Sequence, residues 1–130
     1  MRVMVMVKAS AESESGQLPG RELLSEMSGF NGELLKSGVL LSAEGLQASS
    51  RGVRVRFGGG HSTVTDGPFT ASQELIAGFW LWQVKSLDEA LEWLRRSPFK
   101  HGTAEVEIRP ILEAEDFAHA LAAGAARSSA

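Results

Sequence analysis

The chain is predicted to be an α+β domain of the ferredoxin-like split βαβ type, with a β-hairpin inserted between its two halves. Three observations predict this. Apolar residues recur at helical spacing in two well-separated stretches. Four stretches outside the hairpin read as strands, and two of these carry apolar residues on both faces. Between the halves, two short alternating runs are joined by three consecutive glycines. The order is therefore β-α-β, hairpin, β-α-β, which packs two helices on one face of an antiparallel sheet.

The elements follow in order. Met1–Lys8 is a strand with Val3, Val5 and Val7 on one face and Met4 and Met6 on the other. Ala9–Gly20 holds Ser, Glu, Gly and Pro and reads as a loop. Pro19 suits a helix start. Leu23, Leu24, Met27, Phe30, Leu34 and Leu35 then recur as an apolar stripe. Gly38 is a natural stop. Val39–Leu46 is a second strand.

Val53, Val55 and Phe57 alternate with Arg54 and Arg56. The chain turns at Gly58-Gly59-Gly60 and returns over His61–Thr65 as a hairpin arm that ends at Asp66-Gly67-Pro68-Phe69. Ala71–Ala77 is expected as a short helical turn. Gly78–Lys85 is the central strand, with Phe79 and Leu81 opposed to Trp80, Trp82 and Val84. Ser86 and Glu89 match a capping box. The helix they open has the stripe Leu87, Ala90, Leu91 and Leu94, and ends before Pro98. Ala104, Val106 and Ile108 alternate with Glu105, Glu107 and Arg109 in a last strand. The domain is placed at residues 1–112. Residues 113–130 form a tail with a short helix around Asp116–Ala122 and a disordered end.

The strands with two apolar faces pose a packing problem. Helices cover only one face of this sheet, and monomers rarely leave a large apolar face open. A second sheet from another copy would cover it, which predicts a two-fold homodimer. Whether Trp80 and Trp82 or Phe79 and Leu81 lie under the helices, one apolar face is left over.

Composition narrows the function. The 130 residues fit one domain, 43% are apolar and 22% charged. A net charge of −3 argues against a general nucleic-acid binder. No apolar run approaches the length of a membrane helix, and no targeting segment is visible. The chain has no cysteine, which removes disulfides, thiolate nucleophiles and Cys-bound metals, and suits a reducing cytoplasm.

Several blocks in order resemble the YCII-related DGPF family. They are Leu34-Leu35-Lys36-Ser37-Gly38-Val39-Leu40 with Glu44-Gly45-Leu46, Asp66-Gly67-Pro68-Phe69, Glu74-Leu75-Ile76-Ala77-Gly78-Phe79, Ser86-Leu87-Asp88-Glu89-Ala90-Leu91-Glu92-Trp93, and Glu105-Val106-Glu107-Ile108-Arg109-Pro110. The resemblance spans residues 1–112. It implies a dimeric α+β barrel, in which two ferredoxin-like sheets pack face to face. For the wider group it implies a His–Asp pair in a cleft, and one branch is linked to dehydrochlorination. The group's histidine aligns with Asn31 in this chain. Asparagine can hydrogen-bond but cannot shuttle protons near neutral pH. Asp66 matches the acidic partner only approximately.

Each candidate site residue has two readings. Asp66 is a cleft carboxylate or a turn former. Glu74 shares a cleft with it as an acid–base pair, or is a surface residue. His61 lies five residues from Asp66 in one strand, so the two face opposite ways unless a bulge intervenes. Arg109 binds an anionic ligand or joins a cross-strand ion pair. Arg51, Arg54 and Arg56 form a basic edge or a solvated hairpin face. His61, His101 and His119 lack metal-ligand spacing, and the three glycines lack the rest of a phosphate loop.

Two function classes follow. One is a dimeric domain that binds a small molecule or protein partner in a cleft near the dimer interface, through Asn31, His61, Asp66 and Arg109. The other is a cofactor-free hydrolase or lyase using Asp66 with Glu74. Neither calls for a metal or a cofactor.

Overall fold

The computed structural model describes residues 1–70 and 74–128, with side chains described as far as Gly124 in the last helix. Among the described residues are four α-helices and six strands, and the strands form two sheets. Strands β1 (Arg2–Lys8), β2 (Leu40–Gly45), β5 (Ile76–Gln83) and β6 (Val106–Pro110) make an antiparallel sheet in the order β2-β5-β1-β6. This is the strand order of a split βαβ unit. Strands β3 (Val53–Gly58) and β4 (His61–Asp66) form a separate hairpin in regular register. The helical turn expected at Ala71–Ala77 falls partly on residues 71–73, outside the described residues. Ile76 and Ala77 belong to β5.

Helix α2 (Arg21–Lys36) seats Phe30 and Leu34 on the sheet. Helix α3 (Leu87–Arg95) adds Ala90, with Trp93 and Leu94 packed against the core. Val3, Val5, Trp80, Trp82 and Val84 are buried beneath them. The core is held by aromatic contacts: the Phe30 ring lies edge-on to Trp80, Trp82 and Trp93, with centroids 5.7 to 6.4 Å away. Trp80 and Trp82 are thus under the helices. Met4, Met6, Phe79 and Leu81 are left on the opposite face, where each is half-buried.

Helix ends follow local chemistry. At the end of α2, Gly38 takes φ +72°; Val39 N–H donates to Leu34 O, and Gly38 N–H to Leu35 O. This is a Schellman cap, and the positive φ is why glycine stands there. Gly20 is the N-cap, so Pro19 lies just outside the helix rather than in its first turn. The capping box at Ser86 is half formed. Ser86 Oγ accepts from Glu89 N–H, but the Glu89 carboxylate reaches past Ser86 to Lys85 N–H. Gly59 and Gly60 both take positive φ in the two-residue hairpin turn, the conformation that matches strand twist.

Three elements differ from expectation. The Ala9–Gly20 loop contains a four-residue helix, α1 (Ala11–Glu14), because Ser10 and Ser13 cap each other's backbone. The tail helix, α4 (Ala114–Ser128), is longer than Asp116–Ala122 and takes in Arg127 and Ser128. Alanine's helix propensity carries it, and the Asp116 carboxylate accepts from Glu113 N–H at its start. The residue just before it, Glu113, is tethered by a bidentate pair: Arg2 donates from Nε to Glu113 Oε1 and from Nη2 to Oε2. This bond and the facing guanidinium charge lower the Glu113 carboxyl below its ordinary value. Third, the apolar stripes are only partly buried. Leu87 and Leu91 of α3 are exposed, as are Leu23, Leu24 and Leu35 of α2. For Leu23 and Leu24 the reason is a cavity.

Candidate functional site

The second half of α2 sits on the sheet, while its first half stands off it. Phe30 and Leu34 are buried, but Leu24 is 54% exposed. Between that first half and the sheet is a cavity of about 710 Å³. One wall is Leu23, Leu24, Met27 and Asn31 of α2. The floor is Val7, Ala43, Gly45, Gly78 and Trp80 of the sheet. Phe99 and Thr103 close one side, and Ser10, Glu12 and Ser13 of the α1 segment close another. The lining is mostly apolar, with a few polar groups at defined places, as ligand pockets typically are.

Asn31 is the polar side chain that the core helps to orient. Its Oδ1 accepts a hydrogen bond from Trp80 Nε1–H at 2.8 Å. Trp80 in turn is fixed by the Phe30 ring and by Phe99, whose centroid lies 5.9 Å away. With the carbonyl side of the amide engaged, its NH₂ is the group available to donate. The cavity can hold a ring-sized apolar body and offer one oriented donor. Asn31 itself supplies no acid or base.

Of the residues singled out from sequence, Asn31 lines this cavity and the others do not. Asp66 is exposed at the end of β4, opposite Val53. His61 is exposed at the other end of that strand, opposite Gly58. The register is unbroken between them, so no bulge brings the two side chains together. Glu74 is exposed before β5. Arg109 is exposed on the open sheet face opposite Met4, and its side chain has no hydrogen-bond or ion-pair partner among the described residues. The cross-strand ion pair on this face is instead Lys8 with Glu107, at 3.3 Å. The cavity therefore gathers no Asp66–Glu74 pair. Among the described residues, no three His, Cys, Asp or Glu side chains cluster as a metal site. No described helix is long and apolar enough to cross a membrane.

The Asp66-Gly67-Pro68-Phe69 turn is built against backbone. The peptide before Pro68 is cis. Gly67 N–H donates to Gly52 O at 3.0 Å. A Cβ on Gly67 would lie 1.8 Å from Ser49 O, so the close approach itself demands glycine. Phe69 N–H donates to Ser49 Oγ at 2.9 Å. The Arg54 guanidinium lies 4.0 Å over the Phe69 ring, a cation–π contact that gives the basic hairpin face an internal role.

Sequence reasoning missed most of the cavity wall. Leu23, Leu24 and Met27 looked like core because their spacing is that of core. The available signal was the width of the stripe, six apolar positions, more than one helix face can seat on a flat sheet.

A split βαβ sheet with helices on one face and an apolar cavity beneath one of them defines a small α+β domain with a pocket between helix and sheet. The chain belongs to the YCII-related domain family, whose model matches residues 1–115. It is 30% identical over 90 residues to an uncharacterised protein of Rhizobium meliloti (strain 1021), covering 68% of this chain and 73% of that protein. Among solved structures it is similar to the 5-chloro-2-hydroxyhydroquinone dehydrochlorinase of Burkholderia phenoliruptrix AC1100, in complex with 2,5-dihydroxybenzoquinone. That match has 14% identity and a TM-score of 0.47, and covers 89% of this chain and 99% of the other.

Proposed function

We propose that this chain is a small-molecule-binding domain that takes a ring-sized, largely apolar ligand with a hydrogen-bond acceptor into the cavity beneath α2. The observation that carries this is the Asn31–Trp80 pair inside a 710 Å³ apolar cavity. An amide held by an indole N–H is pre-organised, so little ordering cost falls on binding. The test is titration with 2-naphthol, which offers a flat ring and one hydroxyl, read by the methyl resonances of the methionines. The Met27 signal, from the cavity, should shift saturably. The signals of Met4 and Met6, on the opposite sheet face, should not. Leu24→Trp fills the cavity and should abolish the shift. A Met27 signal that does not move, or moves equally in the filled variant, refutes the reading.

We also propose that the working unit is a homodimer formed through the open sheet face. Met4, Met6, Phe79 and Leu81 lie there with no described helix over them, ringed by Lys8, Glu107 and Arg109. Apolar centres with charged rims are the anatomy of an interface, and a patch that pairs with itself closes at two copies. This would give the dimeric α+β barrel. Sedimentation should return about twice 13.9 kDa, and Leu81→Arg should return one copy. A single-copy mass for the unaltered chain at micromolar concentration refutes it.

A further inference from the structure

One wall of the cavity is unlike the others. Ser10, Glu12 and Ser13 belong to a segment with no buried residue. It lies over the cavity without an apolar anchor of its own. Hydrogen bonds hold it, and these are few. At its base, Ala9 N–H donates to Leu75 O. Beyond that point, among the described residues, the bonds that tie residues 10–18 to the rest of the chain all converge on one carboxylate. Ser49 N–H donates to Glu14 Oε1 at 3.0 Å, and Ser49 Oγ–H donates to Glu14 Oε2.

Ser49 is itself held by the Asp-Gly-Pro-Phe turn. Phe69 N–H donates to Ser49 Oγ, which directs the hydroxyl's own proton toward Glu14. Gly67 lies flat against the Ser49 carbonyl, where any side chain would push Ser49 away. Phe69 is clasped by Arg54 from the hairpin. The relay thus runs from the hairpin through Phe69 and Ser49 to Glu14 and the cavity wall.

We propose that Glu14 and Ser49 are a latch that holds residues 10–18 as a lid on the cavity, and that the Asp-Gly-Pro-Phe turn is the catch plate that positions Ser49. This rests on the cavity being a ligand site, whose access the latch then governs. The two bonds share one carboxylate and are charge-assisted, so they break together when the lid lifts. Local openings of this kind are what amide exchange detects.

The backbone bonds of Glu14, Ser15, Gly16 and Gln17 lie within the lid, and a helix of four residues does not hold such bonds in water once its anchor is released, so these four amides report on the latch. In Glu14→Ala and in Ser49→Ala their exchange should rise about tenfold or more, while the amides of Val3, Val5 and Trp82 keep their protection. Glu14→Gln keeps one acceptor and should fall between. In the same variants, 2-naphthol should enter and leave faster, seen as line-shape changes at the Met27 methyl. Unchanged protection of the four amides in both alanine variants overturns the latch, whether or not 2-naphthol binds. Raised exchange without naphthol binding supports the latch and counts against the ligand cavity instead.

Discussion

Replacing Gly67 by alanine tests the packing of the signature turn. The added Cβ would lie 1.8 Å from Ser49 O and 2.6 Å from Ser49 C, so the 49–52 backbone must retreat by more than about 1 Å. Gly67 does not have a positive φ, so the penalty is steric rather than conformational. Forcing an atom into a filled space costs about 1–3 kcal/mol. The retreat also strains the Gly67–Gly52 and Phe69–Ser49 hydrogen bonds, worth about 1 kcal/mol each. The total, about 3–5 kcal/mol, exceeds what a two-stranded hairpin holds alone. The β3–β4 arm should therefore detach before the core does. Hydrogen exchange resolved along the chain should show residues 53–66 near the unprotected rate, with β1 and β5 protected and the urea midpoint little changed. An arm that stays protected in Gly67→Ala would refute the argument, because the close approach would then be readily relieved.

The same substitution elsewhere should have the opposite sign. Gly29 is exposed within α2 and a Cβ there meets nothing within 4 Å, so Gly29→Ala should stabilise the chain by about 1 kcal/mol in urea unfolding. Leu34 is fully buried against the aromatic cluster, so Leu34→Ala should destabilise by about 2–5 kcal/mol by the same measurement. The Arg2–Glu113 pair should make the start of α4 sensitive to pH. Glu113 is lowered from 4.5 by its bond to Arg2, so its contribution is complete above that value and lost as the pH falls through the lower, folded value. Exchange at Phe117, whose N–H bonds to Glu113 O, should rise in that acid range, and Glu113→Gln should remove the dependence.

Much of the architecture was legible in the chain because it depends on local periodicity. Val3, Val5 and Val7 alternate with Met4 and Met6, and no partner is needed to see two apolar faces. Gly38 and the paired Gly59 and Gly60 announce turns because only glycine takes positive φ freely. The site was less legible. Asn31 was marked by a resemblance, not by chemistry, and its meaning came from Trp80, 49 residues away in sequence. Asp66 and His61 drew attention as titratable groups, yet the hairpin holds them at opposite ends of an exposed strand.

What the sequence alone determined was the main strands and the two helices that cover the sheet, their order and which residues are apolar, since each follows from spacing within a few residues. Which apolar face goes under the helices, and how closely a helix seats on it, were decided by tertiary structure. Spacing cannot separate Leu23, over a cavity, from Leu34, in the core, because three turns apart they lie on the same face of the helix. Only the lie of α2 across the sheet tells them apart. Likewise the Asp-Gly-Pro-Phe turn was visible as a motif, but the fold alone brought Ser49 and Glu14 to it. Hydrogen bonds between residues 20 and 35 positions apart leave no periodic trace in a chain.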